Sequence, residues 1–193
     1  MNRNYVFLAQ GFEEIEALTV VDVLRRAGMD VKTVSITASR QVVGAHGMEV
    51  TADMLIDEAE FSDAGFLILP GGMPGSTNLY ENACLRQLLV RHAADGGCIA
   101  AICAAPAVVL APLGLLDGKE ATCYPGFEKQ CRAAGAIMRD ASVIALDRLI
   151  TGNAPSAALR FSLAIVANVM GESQAQEVGS AMLFYPKSMN FYF

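Results

Sequence analysis

Two kinds of hydrophobic pattern alternate along this chain. Short apolar runs, too brief for helices, recur at 5–9, 66–69 and 98–102, and a run with interspersed polar residues but rich in branched side chains at 31–36; all four predict strands. Between them lie segments whose apolar residues stand three and four apart. In the first, 13–27, the residues Ala17, Val20, Val21 and Leu24 make one stripe, the mark of an amphipathic helix. Glu13, Glu14 and Glu16 open it, Arg25 and Arg26 close it, and Gly28 stops it; that order of charge suits the helix dipole. Further helices are predicted over 83–94, 128–133, 157–170 and 173–182, the third preceded by the cap-forming Asn153-Ala-Pro-Ser156. Residues 41–51, around Gly44 and Gly47, read as a hairpin or an irregular excursion, and 121–124, 136–138, 142–145 and 149–151 as short strands. Strands alternating with helices predict an α/β fold with a mostly parallel sheet covered on both faces. Its site should lie outside the carboxyl ends of the strands.

Composition narrows the class. At 193 residues, 53% apolar and 18% charged, the chain suits one domain, 1–193, with a substantial core and no disordered tract. The net charge is −6 with no basic run, so no nucleic-acid partner is expected. No apolar stretch reaches the roughly 18 residues of a spanning helix, because charges or glycines interrupt each one, which predicts no membrane segment. Five scattered cysteines do not read as a disulfide framework, and the apolar run near the start is too short for a secretory signal. A cytoplasmic protein is expected. No Cys-x-x-Cys or paired histidines suggest a metal site. The aromatic tail, 184–193, is expected to pack on the body or on a second subunit.

Three pieces of candidate chemistry fall at strand ends. Cys103 follows the 98–102 strand, and Ala104, Ala105 and Pro106 suit the opening of a helix. A cysteine at such an elbow sits under unpaired helix N–H groups, which lower a thiol pKa to roughly 3.5–7.5; a buried structural cysteine is the alternative. Glu16 shares a helical line with Val20, Val23 and Ala27, so it should be partly buried, with its pKa raised. It also reads as an ordinary first-turn acid. Pro70-Gly71-Gly72 ends the 66–69 strand and lets a backbone N–H approach a ligand, or is simply a tight turn. Brought to one edge of the sheet, these supply a nucleophile (Cys103), a proton partner (Glu16) and an oxyanion hole from the N–H groups of Gly72 and Ala104. His92 lines up with Leu85, Leu88 and Leu89 and reads as a packing residue, and His46 as a solvated loop histidine.

With those residues in view, the chain resembles the ThiJ/PfpI superfamily, in the branch of the DJ protein and bacterial YajL. The likeness rests on Gly11-Phe-Glu-Glu-Ile-Glu16 with Val21-Asp-Val-Leu-Arg-Arg-Ala-Gly28, on Ile68-Leu-Pro-Gly-Gly72, and on Ala100-Ala-Ile-Cys-Ala-Ala-Pro106. The resemblance implies a flavodoxin-like three-layer sandwich, a homodimer, and a nucleophilic cysteine, Cys103, that oxidises readily to a sulfinate and is hydrogen-bonded by Glu16. Gly71, Gly72 and Ala104 match the oxyanion and substrate-binding positions. It also implies activity without a cofactor on α-oxoaldehydes or their protein and nucleotide adducts, of glyoxalase or deglycase type; the alternative is an oxidative-stress sensor or chaperone. Two departures qualify this. Tyr124 stands where glyoxalase relatives often carry a histidine, and a phenol is a poorer base at neutral pH. Ala104 replaces the histidine that follows the nucleophile in PfpI-type peptidases, which disfavours peptidase activity. His46 matches a position near the family's dimer interface, and with Tyr124 forms a second tier of candidates.

Overall fold

Side chains leave a strand on alternate sides, and that alternation sorts the core into two layers. In β1 (Arg3–Leu8), Val6 and Leu8 join one buried cluster while Tyr5 and Phe7 join another. The computed structural model describes residues 2–184. Along the chain follow α1 (Glu14–Arg26), β2 (Val31–Ser35), β3 (Gln41–Val43), β4 (Glu49–Thr51), β5 (Met54–Leu55), β6 (Ala64–Leu69), α2 (Gly75–Glu81), α3 (Ala83–Ala94) and β7 (Cys98–Ile102). Then come β8 (Glu120–Ala121), α4 (Glu128–Ala133), β9 (Ile137–Met138), β10 (Val143–Ala145), β11 (Leu149–Gly152), α5 (Ala158–Met170) and α6 (Glu172–Ala181).

The main sheet has seven strands in the order β10-β11-β7-β6-β1-β2-β5, parallel throughout except for antiparallel β10. On one face, Val6, Leu8, Phe66, Ile68, Ala100 and Ile102 meet the stripes of α1, α5 and α6, including Val20, Leu24, Phe161, Ile165 and Val178. On the other, Tyr5, Phe7, Leu67, Leu69, Ile99 and Ala101 meet Leu79, Leu85 and Leu89 of α2 and α3, with Cys131 of α4. The architecture is the expected three-layer α/β sandwich. Because β1, β6 and β7 are adjacent and parallel, the segments after Leu8, Leu69 and Ile102 leave the sheet at one edge.

Several local expectations are corrected. The chain after Cys103 does not form a regular helix: Pro106–Leu110 is one π turn, followed by a 3-10 turn at Ala111–Leu113 that Gly114 ends with φ 70°. The 121–124 strand shrinks to β8, which pairs with β9 outside the main sheet. Thr122 instead donates its N–H to the Thr151 hydroxyl at 3.0 Å. No side chain caps α5; Asn153 continues the sheet edge, its N–H donating to Ser142 O at 3.0 Å, and Pro155–Ala157 forms a 3-10 turn. Helix α2 was not expected: its opening Gly75 lies against the Gly11 carbonyl, a contact between remote segments that no local pattern announces. The hairpin at 41–51 forms as β3 and β4. Of the aromatic tail, Phe184 packs beside the core with the Arg160 guanidinium 5.3 Å over its ring; the remainder lies outside the described residues. Among the described residues no helix is long and apolar enough to cross a membrane.

Candidate active site

Strand β7 delivers Cys103 to the sheet edge in a strained conformation. Its φ is +64°, a left-handed value that costs a non-glycine residue on the order of 1–3 kcal/mol and persists only where the surroundings over-determine it. Here they do. The Cys103 N–H donates to Gly152 O at 2.9 Å, and its carbonyl accepts from the Tyr124 N–H at 2.8 Å. The turn swings the side chain away from the strand line, and the backbone N–H groups of Gly72 and Ala104 hydrogen-bond the sulfur. The residue is 7% exposed.

Glu16 reaches the same point from α1. The helix begins at Glu13, whose carboxylate caps it by accepting from the Glu16 N–H at 2.7 Å. That places Glu16 in the first turn with its side chain fully buried. Oε2 accepts from the Gly71 N–H at 2.7 Å. Oε1 is buried and meets no nitrogen or oxygen donor, so the carboxyl's remaining interaction is with the Cys103 thiol. Gly71 separates the two: a Cβ there would lie 2.6 Å from Cys103 Cβ and 2.7 Å from Glu16 Oε2. Gly72 is equally constrained, at φ +89°, where a Cβ would lie 2.5 Å from the Glu13 nitrogen. Cys103, Glu16, Gly71, Gly72 and Ala104 therefore meet, as expected. Gly71, grouped beforehand with the oxyanion donors, instead commits its N–H to holding Glu16.

Residues 2–168 match the DJ-1/PfpI family. The chain belongs to that family. Protein DJ-1 homolog A of Arabidopsis thaliana is 35% identical over 179 residues, 93% of this chain but 46% of the relative, so the chain spans just under half the length of that protein. The glutathione-independent glyoxalase DJR-1.2 of Caenorhabditis elegans is 31% identical over 166 residues, 86% of this chain and 87% of the relative. Among solved structures, oxidized Toxoplasma gondii DJ-1 superposes with a TM-score of 0.90 at 36% identity, covering 95% of this chain and 98% of the other. The sandwich is thus the flavodoxin-like fold of the DJ-1/PfpI family.

The second-tier residues take different places around this DJ-1/PfpI site. Tyr124 stands beside Cys103 through its backbone, with its half-exposed ring edge-on to Phe127 at 6.4 Å. The His46 ring is 65% exposed, and its Nδ1 lies 2.7 Å from Oε2 of the buried Glu14. Glu14 Oε1 accepts from the His46 N–H at 2.7 Å, pinning the hairpin to the start of α1. His46 is therefore not simply solvated. Burial pushes the Glu14 carboxyl up, but the His46 ring and the N–H groups of His46 and Met48 outweigh it and hold the carboxyl below its ordinary value. Sequence reasoning missed both the Glu13 cap and this pair, which join residues three and thirty-two apart. Among the described residues, Glu13, Glu14 and His46 alone bring enough donors close together, within 4.8 Å, to consider for a metal ion. The 2.7 Å ring contact is that of a hydrogen bond, and a helix N-terminus disfavours a cation.

Electrostatics overturn one expectation. The thiol is pushed up, not down, to about 12: burial is the main cause, then the charge and hydrogen bonding of Glu16, while the Gly72 and Ala104 amides act the other way. The short π turn offers little helix dipole in compensation. Burial likewise pushes Glu16 up to about 7, with the nearby Glu13 charge adding to it and the thiol and the Gly71 N–H opposing. An ionised Glu16 makes Cys103 harder to ionise, while the neutral thiol eases the ionisation of Glu16, so the two titrate as a coupled pair. A proton on Glu16 removes the negative charge beside the sulfur and turns Oε1 from an orphan acceptor into a donor.

Replacing Gly71 by Ala should keep the fold but force Cys103 and Glu16 apart, and because the thiol then loses the carboxyl that helps to push its pKa up, Cys103 should be alkylated by iodoacetamide faster than in the wild type; circular dichroism and alkylation kinetics check this. The raised pKa of Glu16 has a stability signature. Its protonated form contributes stability in full below the ordinary value of 4.5, and that contribution is lost as pH rises through about 7. Urea midpoints should therefore fall for the wild type relative to Glu16→Gln across that window, and parallel curves would contradict the assignment.

Proposed function

We propose that this protein is a cofactor-free enzyme acting on small α-oxoaldehydes or their adducts. The observation that carries the reading is the convergence on one sulfur of two backbone donors and a buried carboxyl poised near pH 7. In the proposed cycle the thiol proton passes to Glu16 and the Cys103 sulfur adds to the aldehyde carbon. The N–H groups of Gly72 and Ala104 stabilise the oxyanion that forms. Protonation of that oxygen leaves a neutral hemithioacetal. Glu16, once ionised, takes the proton from the former aldehyde carbon and returns it to the neighbouring carbonyl carbon, while the hydroxyl proton of the hemithioacetal passes to the former carbonyl oxygen, giving a thioester of the hydroxy acid. Water then cleaves the thioester and restores the thiol. The nearly closed surroundings of Cys103 suit a small substrate, and the name of the Caenorhabditis elegans relative supports the same chemistry.

A second reading, a redox sensor, draws on Glu16 Oε1. A buried oxygen without an N–H or O–H partner is well placed, once protonated, to donate to an oxidised sulfur and hold Cys103 at the sulfinate stage.

Lactate formation from methylglyoxal without glutathione separates the readings. The enzyme reading expects a clear wild-type rate that Cys103→Ala abolishes and Glu16→Gln lowers by about 10²–10⁴-fold, the usual range for a lost acid–base group. No rate above buffer, with Cys103 gaining two oxygens in graded peroxide, supports the sensor. We also propose that a second copy covers the half-exposed to exposed Ile15, Met48 and Met73, which lie on the segments meeting at Glu13 and Glu14. Light scattering should give a dimer that Ile15→Glu with Met48→Glu converts to monomers.

A further inference from the structure

Two more cysteines stand close to the site without taking part in it. Cys123 lies just before Tyr124 and Cys131 in the second turn of α4, buried at 4% and 0% exposure, and neither is in a disulfide. Their thiols hydrogen-bond each other. A cavity of about 290 Å³ opens beside them, lined by Cys123, Pro125, Glu128, Arg132, Met138 and Asn153. Pro125, Glu128 and Arg132 belong to the loop and helix that carry the pair.

We propose that Cys123 and Cys131 form a reversible intramolecular disulfide when a peroxide enters this cavity, a second redox centre separate from Cys103. Hydrogen-bonded thiols need only a modest side-chain rotation to reach the S–S distance of about 2.05 Å. Cys123, which lines the cavity, attacks the peroxide oxygen; the O–O bond breaks, one water leaves and a sulfenic acid remains. The Cys131 sulfur then displaces the hydroxyl, which departs with the Cys131 proton as a second water. Two thiols and one peroxide thus give one disulfide and two waters. Their hydrogen bond favours the thiolate on Cys131, against burial and the Glu128 charge, and holds the Cys123 proton in place; Cys131 therefore serves as the base that takes up that proton as the Cys123 sulfur attacks.

The outcome differs from that at Cys103 for a physical reason. Cys103 has Glu16, Gly72 and Ala104 for partners, so its oxidation has no neighbouring thiol to stop at a disulfide and can climb to the sulfinate. The loop that the Cys123–Cys131 bond closes contains Tyr124, whose N–H holds the Cys103 carbonyl. Oxidation of the pair would therefore clamp the segment that braces the elbow.

Trypsin makes the test direct, because Lys129 separates the two cysteines and Arg132 follows the second. Folded wild-type and Cys103→Ala proteins are treated with graded hydrogen peroxide, blocked with an alkylating agent in denaturant, and mapped without reduction. The proposal expects both chains to yield the Cys123 and Cys131 peptides joined, short by two hydrogens, and to release them with dithiothreitol. Cys123→Ser and Cys131→Ala, checked for folding by circular dichroism, should each abolish the joined species. The wild-type map alone can overturn the idea: both cysteines fully alkylated at peroxide doses that convert Cys103 to sulfinate, or disulfides scattered over other cysteine pairs, would refute it.

Discussion

The fully buried Glu16 carboxyl is the constraint on which the rest of the site depends. An ionised carboxylate removed from water costs several kcal/mol unless it is paired or richly hydrogen-bonded, and this one has a single N–H donor, from Gly71. The resolution is chemical: the group keeps a proton up to near neutral pH. Everything packed around it follows from making room for that shared proton. Gly71 has no side chain because a Cβ would strike both Cys103 and Glu16, and Cys103 accepts a left-handed backbone to face the carboxyl.

The scaffold meets this constraint with ordinary parallel-sheet topology. Adjacent parallel strands β1, β6 and β7 send three connections out at one edge, and each brings one part: α1 with Glu16, the Gly71-Gly72 turn, and the Cys103 elbow. The connections are then locked to each other through backbone. Gly71 O accepts from the Glu13 N–H at 3.0 Å, and the Gly75 N–H donates to Gly11 O at 3.1 Å. Backbone contacts of this kind tolerate no Cβ, so glycine is required at Gly72 for close approach as much as for its positive φ. Precise placement here comes from glycine and main-chain hydrogen bonds, with the apolar layers beneath supplying the rigidity.

Cysteines in this fold differ in fate because they differ in neighbours. Cys103 faces a carboxyl and two amides, an arrangement for developing negative charge. Cys123 and Cys131 face each other where an apolar layer meets a cavity flanked by Glu128 and Arg132, and the nearest partner for an oxidised sulfur there is a second thiol. Residue type and burial are nearly the same in both places. The partner atoms set the chemistry.

Much of this was readable from the chain alone, and the division has a physical basis. The strands, α1, α3 and the sandwich followed from short-range periodicity, because burial on one or both faces leaves a period of two or about 3.6 in the residues themselves. Cys103 was legible for the same reason, an apolar strand run directly followed by small residues and proline, and Glu16 stood out as an acid on the flank of an apolar stripe. Helix α2, the Glu13 cap, the His46–Glu14 pair and the service of the Gly71 N–H to Glu16 were not. Three of these join segments far apart in sequence, as Gly71 and Glu16 are at fifty-five residues, and the cap depends on a glutamate where shorter side chains usually serve. The thiol pKa was misjudged on local grounds, because an elbow suggests helix amides while burial in the packed fold, and then a carboxyl arriving from another element, push the thiol up. Local sequence determined which groups stand at the ends of strands; tertiary packing alone decided which of them touch, and proton affinity is set by what touches.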